Sequence, residues 1–224
     1  MAGIGDVMTG AHAACAVGFA LLHREKGGEG QYLDISLLDS YMHCHELNLQ
    51  VYSAAGVETT RSGHHHWAVC PLGLFKGKDH YICIIALQPQ WAGVCRAIGR
   101  ADLIDDSKYS TNEKRLENSA EVIQIVQSWL DLQDSDEAIL AALESERVPC
   151  APVLSIPEVI NHNHMKERGV VRKISDPKLG EVEVPGMPLR FSSFEHNQHL
   201  ETASLGEHNC EVLNGLLKYS PQKT

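Results

Sequence analysis

Asp6, in the run Gly5-Asp6-Val7-Met8-Thr9-Gly10, stands immediately before a stretch that reads as a helix. Free backbone N–H groups and the positive end of a helix dipole favour an anion at such a place. An N-terminal cap is the plainer reading, because Asp is preferred in that role, and a functional carboxylate stays open beside it. The histidines invite a metal reading that their spacing does not support. His43 and His45, beside Glu46, form an H-x-H pair, and two residues two apart on a helix do not share a face. His64-His65-His66 lies in a polar linker and is expected to be a solvated loop, and His162 and His164 take the same reading. None has the spacing of a zinc site, so no metal is expected. The chain has no G-x-S-x-G elbow, no P-loop and no G-x-G-x-x-G.

Elements that must position these residues can be traced in order. Thr9 to Lys26 reads as a helix crowded with small residues (Gly10, Ala11, Ala13, Ala14, Ala16, Gly18, Ala20), which predicts close backbone approach and burial within an α/β layer. Arg24 and Lys26 suit the negative end of its dipole, and Gly27-Gly28 supplies a left-handed stop. Gln31 to Ser36 alternates at period two and predicts a strand, with a second helix from about Leu38 to Ala55. Helix, glycine turn, strand and helix together read as a piece of a doubly wound α/β layer. Residues 56–66 form a polar break. Beyond it, Val69–Phe75 and His80–Leu87 flank Lys76-Gly77-Lys78-Asp79 and predict a β-hairpin. Pro89 opens a helix running to about Gly99, and helices follow at 112–132 and 135–146. Pro149-Cys150-Ala151-Pro152-Val153 reads as a rigid extended connector. A short helix near 157–163, two strands at Val170–Ile174 and Glu181–Val184, and a last helix from Gly206 to Leu217 with a frayed end complete the pass.

Bulk properties narrow the function classes. The 224 residues allow one or two domains, and 43% apolar with 21% charged residues is ordinary for a soluble globular protein. Twenty-nine carboxylates against 19 Lys and Arg give a net charge of −10, a field that repels nucleic-acid phosphates and anionic lipid. The seven cysteines are scattered, odd in number and without a C-x-x-C, which reads as free thiols in a reducing compartment. No apolar run approaches the roughly 18–20 residues needed to span a bilayer, and the start lacks a signal-peptide pattern. A cytoplasmic protein without a nucleic-acid or membrane partner is expected. The single strand before the polar break also leaves the first layer incomplete, so a partner chain or a longer parent is expected to supply the rest.

An ordered series of short stretches resembles one family, the class III CoA-transferases typified by formyl-CoA and carnitine CoA-transferases. It starts with Gly5-Asp6-x-x-x-Gly10 and Leu21-Leu22-His23-Arg24-Glu25. It continues through Gly30-Gln31-Tyr32-Leu33-Asp34-Ile35-Ser36-Leu37-Leu38-Asp39 and Arg61-Ser62-Gly63. Trp91 to Gly99, Tyr109-Ser110-Thr111-Asn112, Val148 to Val153 and Leu205-Gly206-Glu207-His208 follow in order, so the resemblance covers essentially the whole chain.

The resemblance implies an α/β fold in three parts. Residues 1–60 would be the C-terminal part of a doubly wound, Rossmann-like large domain that binds CoA. Residues 61–185 would form a small α+β domain with linkers, and 186–224 would return to the large domain. It implies that Asp6 is the nucleophile, acylated by a donor thioester and then converted to an aspartyl-CoA thioester, with coenzyme A entering as acyl-CoA and a small carboxylic acid as acceptor. Leu37 matches a position lining the CoA site. Ser62-Gly63-His64-His65-His66 matches a loop that closes over the intermediates, with one glycine where the formyl-CoA transferases have several, leaving His64 and His65 to contact the acyl group. An interlocked homodimer is the family's assembly. The nearest rival is an α-methylacyl-CoA racemase, whose catalytic Glu aligns with Gln88, a residue that cannot exchange a proton in the same way. The non-enzyme alternative is a fragment that keeps the small domain and has lost catalysis.

Overall fold

The computed structural model describes residues 3–193 and 202–220. It is a mixed α/β chain with small sheets, in two compact units: 1–74 with 85–126, and 75–84 with 127–224.

The first unit opens with α1 (Ile4–Glu25), α2 (Leu37–His43) and α3 (Glu46–Ala55). Helix α1 begins one turn earlier than the residue pattern suggests, so Asp6 lies inside its first turn rather than before it. Gly3 takes the cap position, and the helix stops where Gly27 turns left-handed at φ 88°. At 22 residues α1 has the length and apolar composition to cross a membrane, a correction to the expectation that no segment does. The expected strand at 31–36 does not form: these residues belong to no ladder among the described residues, and a strand exists only through a partner. The expected helix over 38–55 is broken at Cys44-His45 into α2 and α3, with Ser36 Oγ capping α2 by accepting from the Asp39 N–H at 3.0 Å.

Burial of α1, expected from its small residues, is also corrected. Of the described residues in 3–60, only Ser40 is buried, while Tyr32 (90%), Val7 (70%), Phe19 and Leu38 (both 68%) stay exposed. Within the chain α1 packs on α2, where the rings of His12 and His43 meet edge to face at 5.3 Å.

The remainder of this unit has a real core. Gln88–Gln90 form a 3-10 turn carrying Pro89, followed by α4 (Trp91–Ala97), a second 3-10 turn (Ala101–Leu103), α5 (Asn112–Glu117) and the first part of α6 (Ser119–Asp131). Cys70, Trp91, Val94, Cys95, Leu103, Tyr109, Val122 and Val126 are buried together with one charge, Arg115. Its guanidinium donates from Nε to the Cys70 carbonyl (2.6 Å), from Nη1 to the Tyr109 carbonyl (2.8 Å) and from Nη2 to Gln88 Oε1 (2.9 Å), and stacks 4.8 Å from the Trp91 ring centre. Burial holds its pKa below the ordinary arginine value. Gln88 completes the junction by donating from Nε2 to the Ser110 carbonyl at 2.7 Å.

The hairpin falls where the residue pattern places it: β1 (Leu72–Lys76) and β2 (Tyr81–Ile85), with the turn closed by the Gly77 N–H donating to the His80 carbonyl at 2.8 Å. The expected connector at 149–153 is instead a third strand, β3 (Cys150–Pro152), antiparallel to β2 with Cys83 opposite Ala151, in a sheet ordered β1-β2-β3. An extended segment beside an unpaired strand edge satisfies both backbones by joining it. In the second unit α7 (Asp136–Ser145) is capped by Ser135 Oγ, and Ile139, Leu143, Val148, Phe75, Ile82, Ile84 and Leu130 are buried. Then come α8 (Ile156–Asn161), α9 (Asn163–Glu167) and a second hairpin of β4 (Val171–Asp176) with β5 (Gly180–Pro185). A π-helical stretch, Glu211–Leu216, replaces the regular last helix. Residues 194–201 and 221–224, part of the expected 186–224 segment and its frayed end, lie outside the described residues.

Backbone proximity fixes one loop in the first unit. Residues 64–66 run beside β1, with the Leu74 N–H donating to the His64 carbonyl (2.9 Å) and the His66 N–H to the Leu72 carbonyl (2.8 Å). A Cβ on Gly73 would lie 2.4 Å from the His64 oxygen and 2.8 Å from His65 Cα, so only glycine permits this approach. Gly73→Ala should therefore cost about 1–3 kcal/mol and shift the amide resonances of residues 64–66 while leaving α4 and α5 unperturbed, read by NMR. Arg115→Ala removes three donors from a dry site and should lower stability by about 3–5 kcal/mol, measured by urea unfolding. Arg115→Lys should recover little of it, because one ammonium cannot serve three diverging acceptors.

Candidate active site

Asp6 is the third residue of α1, after the cap residue Gly3. At that position a carboxylate lies close to the unpaired N–H groups of the first turn and to the positive end of a 22-residue helix. Its side chain is exposed, and among the described residues it has no hydrogen-bond or ion-pair partner. The capping reading fails on that geometry, because a cap requires a side-chain oxygen bonded to an N–H of the first turn. One turn on, Thr9 Oγ1 donates to the Gly5 carbonyl at 2.6 Å, so the hydroxyl is spent inside the helix and does not reach for the carboxylate. Apart from the helix's own backbone and the adjoining residues, nothing described lies within 4 Å of where a Cβ would stand on Gly5 or Gly10.

The other residues singled out by resemblance fall in two places of the same unit. Leu37 is the first residue of α2, the helix packed on α1, and is exposed. Gly63 (φ 72°) and His64 form the turn that leads into the His65–Gly73 bridge. His64 is exposed and His65 half-buried, and burial, followed by the charge of His64, lowers the His65 pKa. A lowered pKa favours the neutral imidazole, which can accept or donate a proton without first losing a charge. The structure joins His64 and His65 in one pinned turn and sets Leu37 at the start of the helix packed on α1. Asp6 makes no hydrogen bond to any of these residues.

Histidine clusters do not converge on an ion. His43 rests on His12, His45 Nδ1 meets Asn48 Nδ2 at 3.3 Å, His66 Nδ1 accepts from the Ala68 N–H at 3.1 Å, and His162 and His164 contact each other edge to face. Among the described residues no group of three His, Cys, Asp or Glu side chains is placed to hold a metal. Gln88, which the resemblance matches to the racemase Glu, has both ends of its amide engaged, one with Arg115 and one with Ser110, and is a strut of the core.

Two polar constellations escaped the residue pattern. Arg115 sits in Asn112-Glu113-Lys114-Arg115, which reads as an ordinary charged helix start, and nothing in that spacing marks one cation as buried. The other is His80 between Asp136 and Glu158, three residues up to 78 positions apart that only the fold brings together.

Comparison with known proteins identifies the family. The family model described as CoA-transferase family III matches residues 1–209. The chain is 31% identical over 215 residues to a succinyl-CoA:glutarate CoA-transferase of Mus musculus, covering 96% of this chain and 49% of that protein. It is 29% identical over 234 residues to a formyl-CoA:oxalate CoA-transferase of Streptomyces avermitilis, covering 96% and 56%. A crystal structure of a CAIB/BAIF family protein from Brucella suis superposes with a TM-score of 0.74 at 25% identity, over 96% of this chain and 56% of that one. The chain thus spans about half the length of the curated relatives it matches. With a family match over nearly all of its length and a fold shared with a CAIB/BAIF structure, this chain belongs to CoA-transferase family III.

Proposed function

We propose that this chain carries the nucleophile-bearing part of an enzyme that moves CoA from an acyl-CoA donor to a carboxylic acid acceptor. The observation that carries the proposal is Asp6: an exposed carboxylate with no side-chain partner among the described residues, in the first turn of a long helix, within a chain of this family. A carboxylate engaged by a cap or a salt bridge would have its lone pairs occupied. One that is free and beside unpaired N–H groups can attack a carbonyl carbon while those groups stabilise the charge that develops.

In this reading an Asp6 oxygen attacks the thioester carbon of the donor, the C–S bond breaks, and CoA leaves as thiolate, giving a mixed anhydride. The thiolate then attacks the Asp6 carbonyl carbon and expels the donor acid, leaving an aspartyl-CoA thioester. An acceptor carboxylate attacks that thioester and releases the thiolate again. Attack of the thiolate on the acceptor's carbonyl regenerates the Asp6 carboxylate and yields the new acyl-CoA. No proton, electron or metal enters the balance. Leu37 contributes apolar surface to the CoA site, and Gly63, His64 and His65 border the acyl group from the turn pinned by Gly73.

The finer architecture belongs to the same proposal. Residues 1–60 are assigned to a doubly wound CoA-binding domain whose other strands are supplied by polypeptide corresponding to the remaining length of the relatives. Residues 61–185 form the small domain, and 186–224 return to the large one. Apolar side chains exposed on α1, α2 and the 31–36 segment support this, since in a complete layer they would be covered. A cytoplasmic homodimer of interlocked chains, without membrane or nucleic-acid partners, completes the reading. The racemase alternative loses ground to Gln88, which is committed to the core and has no exchangeable proton of the right acidity.

Intact mass spectrometry after incubation with acyl-CoAs should reveal an adduct on the wild-type chain that hydroxylamine removes and that Asp6→Ala lacks. In a complete enzyme the same substitution should lower kcat by on the order of 10⁴-fold or more. A folded wild-type chain that forms no adduct would leave it a part that needs the remaining half for chemistry. An adduct that persists in Asp6→Ala would refute Asp6 as nucleophile.

A further inference from the structure

A histidine ring held between two carboxylates stands in the second unit, which contains none of the residues assigned to acyl transfer. His80, at the end of the β1–β2 turn, has Nδ1 2.9 Å from Asp136 Oδ2 and Nε2 2.7 Å from Glu158 Oε1. Neither carboxylate oxygen can donate when ionised, so both ring nitrogens must carry hydrogen for both contacts to be attractive. A neutral imidazole has one N–H only and would turn a lone pair toward the second carboxylate.

The two carboxylates are held unequally. Asp136, the first residue of α7, is buried and also accepts from the backbone N–H groups of Lys78 (2.6 Å), Asp79 (3.2 Å) and His80 (2.9 Å). Glu158, in the first turn of α8, is exposed, and its other oxygen accepts from the Ser155 N–H (2.7 Å) and hydroxyl (2.5 Å). The remaining charges near the ring do not compete: Lys78 Nζ donates to the Asp131 carbonyl at 2.8 Å, and Asp79 lies in the turn itself.

We propose that His80 is a pH-operated clasp: as the imidazolium it ties α8 through Glu158 to the β1–β2 turn and α7, and on losing its proton it keeps Asp136 and releases α8. Asp136 is the bond retained because four donors converge on it in a buried setting, so the neutral ring keeps its remaining hydrogen on Nδ1. Hydrogen bonds first to Glu158 and then to Asp136 raise the His80 pKa, and its partners Glu158 (to about 2) and Asp136 are lowered. The sign follows. Because the folded value lies above the unfolded one near 6.5, the clasp's contribution is complete below that unfolded value and is lost as pH rises through the raised folded value.

NMR of the full chain tests this by following the ring nitrogens of His80, assigned by their disappearance in His80→Gln, together with amide exchange across 156–161 and 139–143. The wild type should hold both ring hydrogens above the ordinary histidine range. As His80 titrates, protection of 156–161 should fall several-fold relative to 139–143. Glu158→Gln, an exposed change that leaves the core intact, should shift the His80 titration downward and abolish the pH dependence at 156–161. A wild-type His80 that titrates at or below the ordinary value, or at the same pH in both proteins, overturns the proposal. Protection at 156–161 that ignores the titration overturns it equally.

Discussion

A fully buried guanidinium, hydrogen-bonded to neutral oxygens, organises the first unit. Arg115 reaches three acceptors on segments that are distant in the chain, the Cys70 carbonyl, the Tyr109 carbonyl and Gln88, while its flat face lies on Trp91. A charge in a dry interior is tolerated only when its donors are satisfied. The backbone around Cys70, the 3-10 turn at Gln88 and the loop at Tyr109 therefore cannot move independently. Cys70 precedes β1, and β1 holds the His64–His66 turn through Gly73. The rigidity of that turn traces back through a few backbone bonds to a buried cation.

The second unit uses the opposite charge in the same way. Asp136 gathers the three backbone N–H groups of the β1–β2 turn at the start of α7, where the helix dipole also favours an anion. This is how a short hairpin and a helix more than fifty residues later become one body. Around both nodes the apolar core is compact, and three helices start under a side-chain cap from Ser36, Thr111 or Ser135.

The first 60 residues follow a different rule. A helix rich in Ala and Gly has little side-chain area to bury by itself, and its value lies in letting other backbones come close. With α2 its neighbour in this chain, its apolar residues remain in contact with solvent, and the segment at 31–36 joins no ladder among the described residues. That arrangement is consistent with a chain spanning about half the length of its relatives. It also leaves Asp6 exposed in the first turn of α1, with no side-chain partner among the described residues.

Much of the local structure was legible in the residues. The Gly27 stop, the hairpin around Lys76–Asp79, the helix beginning near residue 135 and the β4–β5 pair each depend on neighbours within a few positions, and turn chemistry and periodicity report on such neighbours. The family was legible because its stretches keep their order, and Asp6 could be singled out on that basis. What failed was whatever needed a distant partner. Period-two alternation at 31–36 expresses a capacity to pair, and without a neighbouring strand it produced none. Cys150–Pro152 looked like a connector because β2's free edge cannot be seen from its own residues. No spacing announced that Arg115 would be buried or that His80 would meet two carboxylates, since desolvation and charge pairing depend on three-dimensional proximity. The sequence by itself determined the chain's local turns, caps and kinship; only the tertiary structure decided which polar groups lost their water and which partners replaced it.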